Sequence, residues 1–135
     1  MENITERVNL KKIIDELKLT PDFLPEDPET ITVNTNEVSR PGLALSGFYE
    51  FFDPKRLQVI GSAESAYLES LDPDEKKSRI ISFLKLAPVA VIYTHGAKPC
   101  EEMLSLAEYF GVPVLETDEK NKEIFDRISR LYRLY

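Results

Sequence analysis

The chain has 135 residues, of which 42% are hydrophobic and 10% aromatic, and this length and composition predict one folded domain rather than a disordered chain. The formal net charge of −7 argues against non-specific binding to nucleic acid and against adhesion to anionic membranes, because both need an excess of Lys and Arg. The single cysteine and single histidine exclude an internal disulfide and a Cys/His zinc cluster.

Apolar spacing predicts an amphipathic first helix from Asn9 to Lys18, ended by Thr20-Pro21 because the residue before a proline disfavours helical geometry. The stretch from Thr20 to Thr30 carries three prolines and four acids, which predicts a solvated loop. Ile31 and Val33 alternate with polar residues and predict a short strand.

The next segment predicts a strand leading into Ser39, then a turn or a single helical turn at Pro41-Gly42, with an exit at Gly47. Three phenylalanines after it are expected to return the chain to the core: Phe48, Phe51 and Phe52. A short strand follows over residues 57–60, and a helix capped by Ser62 is expected to run through Leu71.

A fourth helical segment is predicted from Asp72, with Asp72 as its N-cap, Pro73 in its first position and Glu75 completing a reciprocal capping arrangement. Beyond it, Val89–Leu115 predicts a strand, a helix and a second strand, which form a right-handed unit with parallel strands. The last helix begins near Asp118, and one face of it carries Ile124, Ile128, Leu131 and Tyr135.

These elements predict a single α/β domain over residues 1–135, with a mixed sheet of about four to six strands and helices packed on it. The most buried side chains are expected to be Val91, Ile92, Val114, Leu106, Phe110 and Leu84. We expect Tyr132 and Tyr135 to be exposed, where they could pack on a neighbour. The sequence shows no apolar run of transmembrane length and no signal-peptide core, which predicts a cytoplasmic protein.

The first candidate site is the connection after the best strand, where ligands bind in open α/β sheets and where a helix start would attract an anion. Its candidate ligand-binding residues are Thr94, His95, Gly96 and Lys98. The alternative is an ordinary strand-to-helix connection whose glycine relieves a turn. His95 has no nucleophile or orienting partner at a recognisable spacing, and Cys100 is expected to be a partly buried thiol.

The second candidate site is the turn at Ser39, Arg40 and Gly42, where an arginine could present its planar fork to a phosphate or carboxylate. The alternative is that Arg40 ties down the turn by bonding to backbone carbonyls. No G-x-x-x-x-G-K-[ST] loop occurs in the sequence, so no site for hydrolysing a nucleotide or transferring its phosphate is encoded, and no catalytic or metal-ligating residue is predicted.

Several segments, taken in order, resemble the N-terminal domain of bacterial HPr kinase/phosphorylase. Residues 39–48 (SRPGLALSGF) resemble its signature SRPGLELAG followed by an aromatic residue, and residues 56–68 (RLQVIGSAESAYL) are similar to its RIQLLG-x-x-E-x-aromatic-L run. Residues 8–14 (VNLKKII) resemble its first helix, and residues 127–131 (RISRL) its FISRL segment. Residues 88–117 follow its later strand–helix–strand unit.

The resemblance implies a fold like the N-terminal domains of the Mur ligases, and a non-catalytic regulatory and assembly domain. The parent enzyme would phosphorylate and dephosphorylate HPr in carbon catabolite repression, using ATP or pyrophosphate with Mg²⁺ in a C-terminal P-loop kinase domain that this chain lacks. The implied partners are that kinase domain, HPr through the parent enzyme, and further copies in an oligomer. The alternative is a stand-alone domain that senses a small anionic metabolite or nucleotide.

Overall fold

The computed structural model describes residues 8–133, and the helices and strands alternate over most of that range. The strands are β1 (Thr20–Phe23), β2 (Val38–Ser39), β3 (Leu57–Ile60), β4 (Val91–Tyr93) and β5 (Val114–Glu116). The α-helices are α1 (Leu10–Leu17), α2 (Gly42–Leu45), α3 (Ser62–Ser70), α4 (Pro73–Leu84), α5 (Glu101–Phe110) and α6 (Asn121–Arg133). A 3-10 turn occupies Pro28–Thr30.

The five strands form one sheet in the order β1-β5-β4-β3-β2. Strands β2 to β5 are parallel, with Val59 paired to Ile92 and Ile92 paired to Leu115, whereas β1 is antiparallel to β5 at the edge. The predicted mixed sheet and the predicted strand–helix–strand unit are therefore confirmed. Its strands are shorter than predicted, since β4 begins at Val91 and β5 at Val114.

Helices cover both faces of the sheet, and each face has its own apolar cluster. Side chains alternate along a strand, so Ile92 packs with α1 and α6 on one face, while Val91 and Tyr93 pack with α4 and α5 on the other. Cover on both faces explains why β3 and β4 are buried at every position. No helix within residues 8–133 is both long enough and apolar enough to span a bilayer.

Helix starts and ends follow the predicted capping chemistry in most cases. The Asp72 side chain accepts the Glu75 N–H at 3.0 Å, which confirms the N-cap of α4. Gly111 ends α5 in the left-handed conformation at φ 72°. The predicted cap of α3 is wrong by one residue, because Gly61 is the N-cap and Ser62 is the first helical residue.

The predicted loop from Thr20 to Thr30 is wrong at its start, because Thr20–Phe23 forms the edge strand β1. Pro21 is compatible with this position, since one side of an edge strand needs no backbone donor, and the pairing register shifts between Pro21 and Phe23. The strand expected at Ile31 and Val33 is absent as a named element within residues 8–133. That segment makes only an isolated bridge beside α1.

Four side chains that were expected in the core lie at its rim or on the surface. Phe48 and Phe51 are 44% and 79% exposed, so of the three phenylalanines only Phe52 packs inward, edge-on to Phe83 at 5.8 Å. Leu106 and Phe110 are half-buried at the rim of the cluster rather than central.

Tyr132, expected on the surface, is buried on the α1 and α6 face, and its hydroxyl donates to the Val33 carbonyl at 2.6 Å. A hydroxyl with a partner can enter an apolar core at little cost. Tyr135, the other tyrosine of that prediction, lies outside the described residues.

Candidate functional site

The carboxyl ends of β2, β3 and β4 bring parts of both candidate sites together. A Cβ placed on Gly61, just after β3, would lie 3.5 Å from Arg40 Nη2, 3.5 Å from Thr94 Oγ1 and 3.3 Å from Asn121 Nδ2. The Thr94 hydroxyl also donates to Asn121 Oδ1. Parallel strands end at the same edge of a sheet, which is why residues distant in sequence meet here.

A buried glutamate holds this edge together. Glu64, in the first turn of α3, is only 7% exposed and accepts both the Gly61 N–H and Arg40 Nη2 at 3.0 Å. The ion pair satisfies the buried carboxylate, and it fixes one nitrogen of the Arg40 fork on the scaffold. The sequence analysis missed Glu64. Its place in the sequence could have indicated this role, because a glutamate three residues after a helix N-cap accepts the backbone N–H of the N-cap residue.

The connection after β4 is fixed by backbone hydrogen bonds to the segment that precedes α6. His95 and Gly96 both have positive φ, at 59° and 72°. The His95 N–H donates to the Glu119 carbonyl at 2.9 Å, and the Gly96 N–H donates to the Thr117 carbonyl at 3.2 Å. The His95 ring accepts the Asn121 N–H through Nε2 at 3.4 Å. His95 therefore links this connection to the start of α6.

Lys98, which was predicted to contribute to the first candidate site, pairs with Glu116 of β5. This contact raises the pKa of Lys98 and lowers that of Glu116. Asp22 of β1 lies against the same glutamate, and desolvation together with its hydrogen bond to Glu116 raises the Asp22 pKa to about 6. The structure thus places Lys98 in a charged cluster at the β1 edge, separate from Arg40.

A cavity of about 140 Å³ lies beside Lys98, and its wall includes Tyr93 and Ser65, whose buried hydroxyls have no partner among residues 8–133. Burial raises the pKa of Tyr93, so its hydroxyl stays protonated. Cys100 lines the same cavity and is half-buried, as expected from the sequence.

A second, smaller cavity of about 90 Å³ has Arg40 in its wall. Its wall combines polar and aromatic residues: Ser39, Arg40, Pro41, Leu43, Ala44, Phe48, Phe51, Phe52 and Gln58. Gly42 is not part of this wall, and a Cβ on it would meet nothing within 4 Å. Of the predicted site residues, only Ser39 and Arg40 line this cavity. Thr94 lies beside Gly61, as Arg40 does, since a Cβ placed on Gly61 would be 3.5 Å from both side chains.

Gln58 is the second residue that the sequence analysis missed. It is fully buried in β3, and its Nε2 donates to the Asp53 carbonyl at 3.1 Å and the Arg56 carbonyl at 3.0 Å. Its Oε1 has no partner within the described part of the chain. The available signal was a lone amide within Leu-Gln-Val-Ile, a strand whose other side chains are all apolar.

No group of three or more His, Cys, Asp or Glu side chains in residues 8–133 is arranged to hold a metal ion.

Comparison with known proteins identifies the family. The model of the HPr serine kinase N terminus matches residues 8–131. An HPr kinase/phosphorylase of Clostridium perfringens is 34% identical over 122 residues, which are 90% of this chain and 39% of the relative. That of Clostridium beijerinckii is 37% identical over 105 residues, which are 78% of this chain and 34% of the relative.

One solved structure has a similar fold. It contains the CBS and DRTGG domains of the regulatory region of Clostridium perfringens pyrophosphatase, complexed with the activator diadenosine tetraphosphate. The TM-score is 0.65 at 17% identity, over 95% of this chain and 50% of that chain. At this identity the likeness concerns the fold alone.

The chain spans about two fifths of the length of the curated relatives that it matches, since 122 aligned residues make up 39% of the Clostridium perfringens protein. The match to the family model, the relatives and the order of the motifs all agree, and the resemblance stated from the sequence is confirmed. The chain belongs to the family of HPr serine kinase N-terminal domains.

Proposed function

We propose that residues 1–135 form a non-catalytic regulatory and assembly domain of an HPr kinase/phosphorylase. In this proposal, ATP or pyrophosphate and Mg²⁺ act in a separate kinase domain, which also carries out the chemistry on HPr. Membership of the family and the names of the relatives support the proposal. The domain would act on that kinase domain, or on further copies of the protein, rather than on HPr itself.

The proposal depends on one observation: the backbone N–H groups described at the carboxyl edge of the sheet already donate hydrogen bonds within the domain. The Gly61 N–H is held by Glu64, the His95 N–H by Glu119 and the Gly96 N–H by Thr117. Phosphoryl transfer needs amides that point at the phosphates, together with a lysine and a magnesium ligand. These three N–H groups are hydrogen-bonded inside the domain and do not point at a ligand, which supports a scaffold role.

The catalytic part of the proposal is tested by incubating the purified chain with HPr, ATP and Mg²⁺ and measuring phosphoserine on HPr. We expect none, whereas the full-length Clostridium perfringens relative serves as the positive control. Phosphoserine formed by the chain alone, at a rate proportional to its concentration, would contradict the proposal.

The regulatory part is tested in the Clostridium perfringens relative. Kinase activity and oligomeric state are compared for the full enzyme, for a version lacking the segment that matches this chain, and for a chimera carrying residues 1–135 in its place. We expect the deletion to change activity or assembly and the chimera to restore it. A deletion without effect on either property would overturn the regulatory role.

Sensing of a small anionic ligand at the carboxyl edge is the second candidate, and the meeting of Arg40 and Thr94 across Gly61 favours it. The same edge has few free donors for an anion, since Lys98 is paired with Glu116 and the amides are bonded. Calorimetry with phosphosugars and pyrophosphate tests it. Heat that disappears in the Arg40→Ala and Thr94→Val variants is the expected result. No heat, or heat unchanged in both variants, would remove the candidate.

A further inference from the structure

We propose that an apolar surface on segment 43–51 docks onto the kinase domain that the proposed function attaches to this chain. This surface, which we call the aromatic surface, is formed by Leu43, Phe48, Tyr49 and Phe51. The inference rests on the proposed function for the existence of an attached kinase domain. It adds which face of this domain makes the contact and what chemistry the opposing face has.

Exposed apolar side chains are concentrated in this one segment. Five large hydrophobic side chains are exposed within residues 8–133, and four of them form the aromatic surface, the fifth being Tyr109. Leu43 and Phe51 are the most exposed of the four, at 64% and 79%. The rings of Phe48 and Phe51 have centroids 5.9 Å apart, and the Phe48 N–H donates to the Leu43 carbonyl at 2.9 Å. Contiguous exposed apolar patches mark interaction sites, whereas single scattered residues do not.

The rest of the domain holds the aromatic surface in place. Leu45, inside the same segment, is fully buried, and Phe52, which follows the segment, packs edge-on against Phe83 at 5.8 Å. Arg79 of α4 donates from Nη1 to the Ser46 carbonyl at 3.0 Å. The segment is therefore tied to the domain at several points, and an ordered surface of this kind loses little conformational entropy on binding.

The area of the aromatic surface distinguishes an attached domain from a separate partner. A fully buried phenylalanine or tyrosine covers about 150–250 Å², so the exposed fractions of the four side chains correspond to about 400 Å². That is half of the roughly 800 Å² per partner that stable complexes of separate chains bury. It is enough for an interface between domains of one chain, which buries about 600–1,500 Å² counting both sides. A linker compensates for the smaller area by raising the effective concentration to about the millimolar range.

The relatives contain further chain that could supply this partner. The match covers 39% of the Clostridium perfringens HPr kinase/phosphorylase, so the larger part of that protein lies outside it. In the proposed function that part holds the kinase domain. A second copy of this chain is disfavoured as the partner, because the net charge of −7 opposes the approach of two copies.

A cation at the border of the aromatic surface indicates an acidic group on the partner. Arg40 shares a cavity wall with Leu43 and Phe51, and its side chain is 46% exposed although one of its nitrogens holds Glu64. A guanidinium has five N–H donors, so several remain for a carboxylate. The opposing face of the kinase domain is therefore apolar, with an Asp or Glu opposite Arg40.

Photo-crosslinking identifies what covers the aromatic surface. A benzophenone amino acid replaces Phe51 in the chimera of residues 1–135 with the rest of the Clostridium perfringens relative, and mass spectrometry locates the cross-linked peptide. The matched control carries the same group in place of Tyr109, which is 81% exposed on α5. Helix α5 packs against β1, at the other edge of the sheet from β2. We expect about tenfold more cross-linking to the kinase domain from position 51 than from position 109.

Hydrogen exchange measures the strength of the contact. The backbone amides of residues 47–52 are expected to exchange about tenfold more slowly in the chimera than in the isolated chain. Phe51→Ala should remove most of this protection, and Tyr109→Ala should leave it unchanged. Glu50→Lys adds a cation within the segment and should slow exchange further, because the partner face is acidic.

Three results would overturn the proposal. One is cross-linking from position 51 mainly to residues 1–135 of another copy, which would make the aromatic surface a site of self-association. Another is equal exchange of residues 47–52 in the chimera and the isolated chain, and the third is protection that survives Phe51→Ala. Faster exchange in Glu50→Lys than in the unchanged chimera would exclude an acidic partner face. The proposed function fails on a different result, a deletion of the domain without effect on activity or assembly, so the two failures are distinguishable.

Discussion

Asp22 sits at the edge of the sheet beside Glu116, and desolvation together with that carboxylate raises its pKa from 3.8 to about 6. Lys98 opposes this shift but is engaged mainly by Glu116. A carboxyl whose pKa is higher in the folded state stabilises the fold when protonated. Its contribution is therefore present below pH 4 or so and is lost as the pH rises through about 6.

Asp22→Asn is therefore expected to raise the melting temperature relative to the unchanged chain at pH 7, because Asn resembles the protonated acid. The gain should shrink toward zero near pH 4, where Asp22 itself holds the proton in the folded state. Thermal unfolding of both proteins at the two pH values measures this. A gain of equal size at both would contradict the pKa assignment.

Residue-scale predictions from the sequence succeeded where a side chain had only one favourable environment. The apolar side chains of Val91, Ile92 and Val114 are completely buried, as predicted. Phe48 and Phe51 were misplaced, because hydrophobicity alone does not say whether a ring faces the core or a surface cavity. Gln58 and Glu64 were not predicted as buried because a polar side chain is buried only where carbonyls, amides or cations can bond to it. Those partners cannot be read from the sequence.

At the scale of single elements, local chemistry determined most boundaries. Asp72, Gly111 and the apolar spacing of α1 act within a few residues of their own positions, so they could be seen in the sequence. The edge strand β1 could not. It contains Pro21 and lacks alternation. Within residues 8–133 its one partner strand is β5, which is far along the chain, since Thr20 pairs with Glu116, so pairing alone makes it a strand.

Gly42 and Gly111 both have room for a methyl group, so alanine substitutions there distinguish the cost of backbone strain from the cost of a steric clash. A Cβ at Gly111 or at Gly42 would meet nothing within 4 Å, but only Gly111 has a left-handed φ, at 72°. Gly111→Ala is expected to cost about 1 kcal/mol in the free energy of unfolding. Gly42→Ala, in the first turn of α2, should be neutral or slightly stabilising.

Urea unfolding of the two glycine variants and the unchanged chain checks this difference. Equal losses in both variants would mean that the C-cap conformation of α5 contributes nothing specific. A loss of stability in Gly42→Ala alone would contradict the backbone conformations described for both glycines.

At the scale of the whole molecule, the two apolar clusters share the same strands. Strands β3, β4 and β5 contribute side chains to both apolar clusters. Unfolding of one cluster therefore disturbs the strands on which the other cluster packs. Domains of this size with a common sheet usually unfold in one cooperative step. The fold should therefore behave as one unit, although its helices form two separate layers.

The chain contains no tryptophan, so one probe can be placed on each face. Phe125→Trp reports on the α1 and α6 face and Phe110→Trp on the α4 and α5 face, since both phenylalanines are partly buried against their clusters. We expect each variant to give a fluorescence midpoint in urea that coincides with its own circular dichroism midpoint. Midpoints that differ within one variant would show that the two layers unfold separately.

Sequence alone determined the fold class, the strand–helix–strand unit, most helix ends and the family, because each is written in local patterns of apolar spacing, caps and motifs. Only the tertiary structure decided how the site residues are grouped. It separated Lys98 from Arg40, joined Arg40 to Glu64 and Thr94 around Gly61, and set Gln58 behind exposed phenylalanines. The physical reason is that sheet order and side-chain alternation place distant residues together, and neither is visible until the strands have paired.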